Sequence, residues 1–226
     1  MWNTKIELTI DDILKGQGAD PKKIVLRKPA LLRVAESALE LGNDLIEPRV
    51  VTRVFCREEL IFHHAVLREL AEKNLNLLAE KLPEAVSYVM AICTIGDGLE
   101  NLSTQFMSSD IALAIALDGM ANAAIDRLVE CVFHDLADEA ESEGLGVSLP
   151  VYPGSHTWPL EIGQPLIFGA LNPDPQLVRL TDHFLMLPRK SSSFILGVGP
   201  QVKRHGKTCD YCGMVEACRY RIRKAF

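Results

Sequence analysis

The sequence lacks the features that would direct a chain into or across a membrane. The best apolar candidate for a membrane span, Ile111 to Ile125, is too short and is interrupted by Asp118 and Asn122. The first residues, Met1 to Glu7, carry no basic region followed by an apolar segment, so they predict no signal peptide. We therefore expect a soluble, cytoplasmic protein.

A basic overall surface is lacking as well. The chain holds 24 Lys and Arg against 30 Asp and Glu, a net charge of −6, whereas general nucleic-acid binding needs a surface that neutralises phosphates. The charge is uneven, because residues 201–226 carry only Asp210 and Glu216 against a set of basic residues: Lys203, Arg204, Lys207, Arg219, Arg221, Arg223 and Lys224. This tail predicts either attraction to an acidic partner or anion, or a solvated terminus.

The signatures of several common enzyme classes are also missing. The stretch Thr94 to Glu100 has neither the glycine spacing of a dinucleotide-binding turn nor the Lys-Ser/Thr pair of a Walker loop, so an ordinary glycine turn is the preferred interpretation. The serines Ser191 to Ser193 have no histidine nearby in the sequence except His183. No nucleophile–base pair therefore predicts hydrolysis.

The sequence does contain the pattern of a single α+β domain, residues 1–200, followed by the basic tail, residues 201–226. A hydrophobic content of 48% is enough to form a core. Residues 4–10 alternate as a strand would, and Asp11 and Asp12 can cap a short helix that ends near Gly16 or Gly18. Further strands are predicted at 50–55, 86–95, 182–187 and 193–198, and helices at 29–41, from 99, at 110–141 and at 160–170, while 59–82 fit either a strand followed by a helix or one long helix.

The longest predicted helix carries a polar row opposite its apolar stripe. The members of the row recur every four residues: Asp118, Asn122, Asp126, Glu130, His134 and Asp138. This spacing places carboxylates close together on one face, and Glu130 with His134 could share a metal ion. A solvated helix face is the preferred interpretation.

Three of the six cysteines lie close together in the tail, at Cys209, Cys212 and Cys218. In a reducing compartment they are expected to be thiols or metal ligands rather than disulfides. One interpretation is a 4Fe–4S cluster, and the other is zinc held together with His205. The fourth ligand of a cluster would be one of the remaining cysteines: Cys56, Cys93 or Cys131. The short gaps favour the cluster, and a loose thiol-bearing tail is the alternative without metal.

The stretch from Tyr152 to Leu160 combines prolines, a glycine and three rings. Prolines fix the path of the chain and rings supply flat apolar faces, so this stretch predicts either a grip on a planar ligand or a rigid structural corner. The later serines offer hydroxyl and backbone N–H groups to an anion or carboxylate. The two strands that flank them could pair as a hairpin or lie as neighbours in a sheet. The predicted ligand-binding residues are Tyr152, Pro153, Gly154, His156, Trp158, Ser191 and Ser193.

Two of these segments resemble the activation (reactivation) domain of cobalamin-dependent methionine synthase. Leu180 to Ser193 is similar to the family pattern Leu-Thr-acidic-x-Phe-x-Met-x-Pro-x-x-Ser-x-Ser. Pro150 to Pro153 is similar to the family's Gly-Tyr-Pro turn, and Gly144 stands where that pattern has a glycine. The resemblance implies a mostly antiparallel mixed sheet with flanking helices.

The resemblance also implies a function. It implies that S-adenosylmethionine binds around Tyr152, and that the protein docks a corrinoid protein or methyltransferase and supports its reductive reactivation. Where the family has arginines before the turn, this chain has Val147 and either Ser142 or Glu143, so the ligand carboxylate lacks its bidentate partner.

The cysteine tail is not part of the synthase domain. It resembles the cluster-bearing ends of proteins that reductively activate corrinoid methyltransferase systems, so a cluster at Cys209, Cys212 and Cys218 would relay electrons. The alternative is a binding module for S-adenosylmethionine or a corrinoid protein without a redox role, whose tail holds zinc or no metal.

Overall fold

The computed structural model describes residues 5–22, 24, 29–56, 59, 82, 84–155 and 158–203. Its helices are α1 (Ile10–Gly16), α2 (Pro29–Gly42), α3 (Gly98–Phe106), α4 (Ile111–Ser142) and α5 (Leu160–Leu171), with a 3₁₀ turn at Asn43–Leu45. Its strands are β1 (Arg49–Cys56), β2 (Ser87–Thr94), β3 (Gly146–Val147), β4 (Arg179–Leu180), β5 (Met186–Leu187) and β6 (Ser191–Gly199). The expected α+β class is confirmed.

The main sheet has four strands in the order β1-β2-β6-β3, and each neighbouring pair is antiparallel. Strands β4 and β5 pair separately. Strand β2 is central and buried along most of its length, because both faces of the sheet are covered. Since side chains alternate along a strand, Val89, Ala91 and Cys93 join one core, and Tyr88, Met90 and Ile92 join the other.

Helices α1, α2 and α4 supply the first core, together with Phe194 and Leu196 of β6. Helix α5 and Trp158 supply the second core, on the opposite face of the sheet, together with Ile195. Trp158 is fully buried, and burial of a side chain of this kind stabilises the fold by about 1.5–3 kcal/mol. The sheet is therefore packed on both faces, by different elements.

Helix α4 is the longest element, and 32 residues make it about 48 Å long. It begins where Asp110 caps it, with Oδ1 accepting from the backbone N–H of Leu113 at 3.0 Å. In its N-terminal half it packs closely on α1. A Cβ atom added to Gly16 would lie 2.0 Å from the carbonyl oxygen of Gly119, so this crossing requires glycine. The long predicted helix and its apolar stripe are confirmed.

The strand predicted at 4–10 is wrong. Residues 5–9 form no strand, and the chain enters α1 at Ile10. The cap is Thr9 rather than Asp11 or Asp12: its hydroxyl accepts from the backbone N–H of Asp12, whose carboxylate accepts from the backbone N–H of Thr9. In this reciprocal capping box the backbone N–H groups of Thr9 and Asp12 have side-chain acceptors. In a strand they would need acceptors on a neighbouring strand.

The strand predicted at 182–187 is also mostly wrong. Only Met186–Leu187 is strand, and it pairs with β4 rather than with β6 as a hairpin. The preceding residues form a turn, in which Thr181 N–H donates to Leu185 O at 2.8 Å and Phe184 adopts a φ of 59°. The strand predicted at 193–198 is confirmed as part of β6, a sheet neighbour of β2 and β3.

Some expectations fall on residues that the structure does not describe. The ambiguous segment 59–82 lies outside the described residues except at its two ends, as does the tail from residue 204. The boundary between a domain and a tail at residue 200 therefore stays a prediction. Among the described helices, none is long and apolar enough to cross a membrane.

Candidate functional site

Tyr152 lies on the α4 side of the sheet, just after β3. The preceding residue, Val151, exchanges two backbone hydrogen bonds of 2.9 and 3.0 Å with Ile195, which fixes the turn against β6. The Tyr152 ring packs against Phe194 with 5.9 Å between ring centroids. Burial, with smaller contributions from Asp126 and Cys93, raises the pKa of Tyr152 above its usual range. Its phenol is therefore neutral at physiological pH and can donate a hydrogen bond.

The residues that follow Tyr152 form a tight structural corner. Gly154 N–H donates to Trp158 O at 2.8 Å and Trp158 N–H donates to Ser155 O at 3.0 Å, with Gly154 at a φ of 85°. Pro153 and Trp158 both press on Gly163 of α5, where an added Cβ would lie 2.8 Å from each of them. Trp158 is thus a core residue on the α5 side, and a ligand contact by it or by Pro153 or Gly154 stays a prediction. His156 lies outside the described residues.

The first half of the polar row on α4 contacts Lys190 in the loop between β5 and β6. Lys190 Nζ lies 2.6 Å from Asp118 Oδ1 and donates to Asn122 Oδ1 at 2.7 Å. Asn122 Nδ2 in turn donates to Gly16 O at 3.1 Å. Asp118 is exposed, as expected for a solvated face, but a cation from a distant loop also pairs with it and with the half-buried Asn122. His134 and Asp138, in the other half, are exposed as expected.

Asp126 is the next member of the row and links it to Tyr152. Burial raises its pKa to about 6, Glu130 adds to this effect, and Lys190 opposes it. The residue is nevertheless accessible to solvent. Asp126 is thus exposed as a residue, although the protein around its carboxyl group shifts the pKa. We call the site formed by Asp126, Glu130, Tyr152 and Lys190 the α4 recess.

The recess combines groups that suit a small polar ligand. Tyr152 supplies a neutral hydroxyl on a half-buried side chain, and Asp126 supplies a carboxylate that changes charge near pH 6. Glu130 is already paired with Arg127, whose Nη1 lies 2.8 Å from Glu130 Oε2. Asp126 forms no ion pair within 4 Å among the described residues. The recess therefore favours a ligand with a positive charge next to Asp126.

The predicted serines lie apart from the recess. The hydroxyl of Ser191 donates to Pro188 O at 2.7 Å and lies 2.9 Å from Thr94 Oγ1. The buried hydroxyl of Ser193 donates to Gln164 Oε1 of α5 at 3.0 Å. Ser193 belongs to the α5 face of β6, whereas Tyr152 packs on the α4 face. The predicted ligand residues are thus divided between two faces, and a ligand role for either serine stays a prediction.

The loop that carries Lys190 is held at both of its basic residues. The backbone N–H of Arg189 donates to Glu100 Oε2 at 3.1 Å, and its guanidinium forms an ion pair with the same carboxylate. Neighbouring Lys190 pairs with α4 as described above. Both cations of the loop are therefore engaged inside the molecule and do not present a ready anion site.

The described cysteines differ in accessibility. Cys93 is fully buried, and burial raises the pKa of its thiol to about 12. Cys131 is half-buried on α4, and burial also raises its pKa, whereas Cys56 at the end of β1 is exposed. The other predicted ligands, Cys209, Cys212, Cys218 and His205, lie outside the described residues. Within the described part of the chain, no three His, Cys, Asp or Glu side chains are grouped to hold a metal ion.

Two residues of the candidate site, Lys190 and Asp126, are not singled out by the sequence. Asp126 was visible as a member of the four-residue row, but nothing distinguished it from its solvated neighbours. Lys190 carried no signal at all, because its partners on α4 lie far away along the chain. Only the folded arrangement reveals that they meet.

Comparison with known proteins bears on the fold. Neither a protein-family model nor a curated protein matches the sequence. Among solved structures the chain is similar to the crystal structure of the MetH reactivation domain bound to AdoHcy, with a TM-score of 0.55 and 16% sequence identity. The match covers 89% of this chain and 79% of that chain. The fold that the sequence resemblance implied is thereby confirmed: this chain has the fold of the MetH reactivation domain.

Proposed function

We propose that this protein is an accessory protein of a corrinoid-dependent methyltransferase system, and that it binds S-adenosylmethionine in the α4 recess. The observation that carries the proposal is the position of Tyr152. The fold is similar to that of a domain solved with AdoHcy bound, and Tyr152 of the Gly-Tyr-Pro-like turn is near enough to Asp126 for that carboxylate to influence its pKa. When a corrinoid protein is bound next to this site, the ligand would supply the methyl group that remethylates the corrinoid after its reduction.

The chemistry of the recess supports a cationic ligand in particular. S-Adenosylmethionine carries a sulfonium and an ammonium group, whereas AdoHcy has lost the sulfonium charge. The carboxylate of Asp126 would favour the sulfonium form, and the phenol of Tyr152 would donate to an acceptor on the ligand. Val147, where the family has an arginine, is buried in the first core. The ligand carboxylate would therefore contribute less to binding here than it does with a guanidinium partner.

Calorimetric titration of the purified protein with S-adenosylmethionine and with AdoHcy tests this proposal. We expect Asp126→Asn to weaken binding of S-adenosylmethionine about tenfold and binding of AdoHcy less, since a lost charge-assisted contact costs about 1.5 kcal/mol or more. Tyr152→Phe keeps the ring and removes only the donor. Asp138→Asn, on the exposed end of the same row, is the matched control and should change neither affinity.

The same titration defines the results that would contradict the proposal. Absence of binding for both ligands would remove the recess as their site. Equal weakening of both by Asp126→Asn would show that the sulfonium is not recognised there. Binding of S-adenosylmethionine should also weaken as the pH falls through about 6, because protonation removes the charge of Asp126.

We further propose that the tail holds a 4Fe–4S cluster at Cys209, Cys212 and Cys218, with zinc as the alternative. The spacing of the three cysteines supports it. The described cysteines bear on the fourth ligand. Cys56 pairs with Ser87 and Ser87 with Val198, so Cys56 lies about 10 Å, two strand spacings, from the end of β6 that leads into the tail. Cys93 lies towards the opposite end of β2 and is buried, which disfavours it.

Anaerobic purification with iron, sulfide and zinc analysis tests the metal proposal. Brown, iron-containing protein that is bleached by Cys212→Ser is expected, and Cys56→Ser should also destabilise the cluster while Cys131→Ser should not. Zinc in place of iron would favour the binding module without a redox role. Colourless protein free of both metals would refute the cluster and leave the recess proposal standing.

A further inference from the structure

The C-terminal half of α4 is an acidic helix face. Between Glu130 and Glu143 the sequence contains no Lys or Arg, while acidic residues are frequent. Five of them are exposed: Asp135, Asp138, Glu139, Glu141 and Glu143. None of these five forms an ion pair with a described residue, in contrast to Asp118 and Glu130 further up the same helix. We call Asp135 to Glu143 the acidic end of α4.

The position of these negative charges at the C-terminal end of the helix destabilises the folded state. The C-terminal end of a helix carries a partial negative charge, which favours Lys or Arg in the last turn by about 0.3–1 kcal/mol each. The last turn of α4 has no basic residue, and Glu139 and Glu141 stand there instead. Repulsion between the carboxylates and the helix dipole would be relieved by a basic partner along this face.

A cavity lies beside the acidic end of α4. Its volume is about 340 Å³, and it is lined by Ala137, Glu141, Leu145, Gly146, Val147 and Val202. Val202 is half-buried near the start of the tail, and the chain passes so close to β3 that a Cβ on Gly146 would lie 2.0 Å from Val202 O. The tail therefore leaves the described structure at this cavity and next to the end of α4.

The tail has the charge and the length to cover this face. Residues 204–226 contain six basic residues against Asp210 and Glu216: Arg204, Lys207, Arg219, Arg221, Arg223 and Lys224. Fully extended, these 23 residues would reach roughly 75 Å, whereas the segment from Glu130 to Glu143 is about 20 Å long. Opposite charges held on one chain at this range attract at a high effective concentration.

We propose that residues 204–226 dock along the acidic end of α4 of the same molecule, with their basic side chains opposite its carboxylates and part of the segment seated in the cavity beside Val202. This docking concerns the basic side chains of the tail and does not specify the position of its cysteines. It requires neither a bound ligand nor a bound metal, so it is independent of the proposed function.

Carbodiimide cross-linking of the full chain, followed by mass spectrometry, tests the docking, because this reagent joins lysine directly to carboxylate. We expect links from Lys207 or Lys224 to Glu139, Glu141 or Glu143 within one molecule, at a yield that does not change on dilution. The yield should fall several-fold at about 1 M salt, where the screening length shrinks to about 3 Å.

Charge reversal separates docking from chance proximity. Arg221→Glu with Arg223→Glu should lower the yield several-fold while leaving both lysines and all carboxylates available. Reversing Asp135→Arg and Asp138→Arg in addition should restore it. Lys22→Glu with Arg33→Glu is the matched control, since both residues are exposed, lie elsewhere and change the net charge equally.

Three results would overturn the proposal. The first is the absence of links from Lys207 and Lys224 to α4. The second is links found only between two molecules, which would mean that the face binds the tail of a second copy. The third is a yield that responds neither to salt nor to reversal of the tail charges, which would leave the acidic end of α4 to a separate basic partner.

Discussion

Replacing Lys190 by methionine probes the electrostatics of the α4 recess most directly. The Lys190 side chain is 15% exposed, and its ammonium group lies 2.6 Å from Asp118 and 2.7 Å from Asn122. Asp126 lies two turns beyond Asp118 and one turn beyond Asn122, and the Lys190 charge lowers its pKa, so we take a separation on the order of 6 Å between its carboxylate and the ammonium. Methionine has a similar length without the charge, so it removes the cation with little loss of packing.

The magnitude follows from Coulomb's law. At about 6 Å two unit charges interact by roughly 0.7 kcal/mol at the dielectric constant of water and roughly 2.8 kcal/mol at an effective value of 20. Because the ammonium stabilises the ionised carboxylate, its loss must raise the pKa of Asp126 above about 6. Between the two limits, proton binding by Asp126 strengthens by about threefold to about 100-fold.

The stability of the fold should change with pH in a defined direction. The folded pKa of Asp126 lies above its ordinary value of 3.8, so protonation favours the folded state. The contribution of this group is fully present below about pH 3.8 and is lost as the pH rises through about 6. In Lys190→Met the upper end of that interval moves to higher pH.

Carboxyl ¹³C NMR of the labelled aspartates measures the change, with Asp126→Asn identifying the signal. Lys190→Arg keeps the charge and is the matched control, so its Asp126 should titrate close to the parent protein. An unchanged or lower pKa of Asp126 in Lys190→Met would show that the Lys190 ammonium does not lie close to the Asp126 carboxylate.

Three further predictions concern packing and thiol reactivity. Ser193→Ala leaves the buried Oε1 of Gln164 without its donor and should lower the free energy of unfolding by about 1–3 kcal/mol in denaturant titrations, whereas a loss near zero would mean that water reaches the site. Gly16→Ala forces α1 away from α4 and should cost about 3 kcal/mol, seen as a lower melting temperature, and an unchanged temperature would contradict the close crossing. In the folded protein an alkylating reagent should modify Cys56 much faster than Cys93, as mass mapping will show, and equal rates would contradict the burial of Cys93.

Local patterns predicted the elements that depend on local interactions. The apolar stripe of α4 and its start next to Asp110 are properties of consecutive residues, and both appear as expected. The apolar run 50–55 predicted β1 for the same reason. Such elements form because certain residues share one face, and the spacing of apolar residues in the sequence shows which residues those are.

The wrong expectations have a common physical cause. Residues 5–9 alternate as a strand does, but Thr9 and Asp12 exchange hydrogen bonds that start a helix instead. Residues 182–185 look extended, but Thr181 and Leu185 close a turn. In each case a short-range hydrogen bond outcompeted the pattern of apolar residues.

The site itself was only partly predictable, because its geometry depends on contacts between distant positions. The turn at Tyr152 was recognisable from its prolines and its family pattern. Its position next to Asp126 depends on the pairing of Val151 with Ile195, and no local signal specifies that pairing. The alternation along β6 also sends Ser193 away from Tyr152, which a list of polar residues cannot reveal.

Helix α4 shows how one residue type acquires two roles along a single element. Asp118 and Asp138 occupy the same row and carry the same charge, yet Asp118 holds Lys190 and Asp138 pairs with no described residue. The difference arises from what packs beside each: the loop between β5 and β6 supplies a cation at one end, and the exit of the basic tail lies near the other. If the tail is the partner at that end, two different parts of the chain neutralise the carboxylates of α4. Lys190 of the folded domain pairs with Asp118, and the basic residues of the tail pair with the acidic end of α4. High salt would then weaken the contact between the tail and the acidic end of α4. The contact between Lys190 and Asp118 would stay intact, because the Lys190 ammonium is mostly buried and is screened far less.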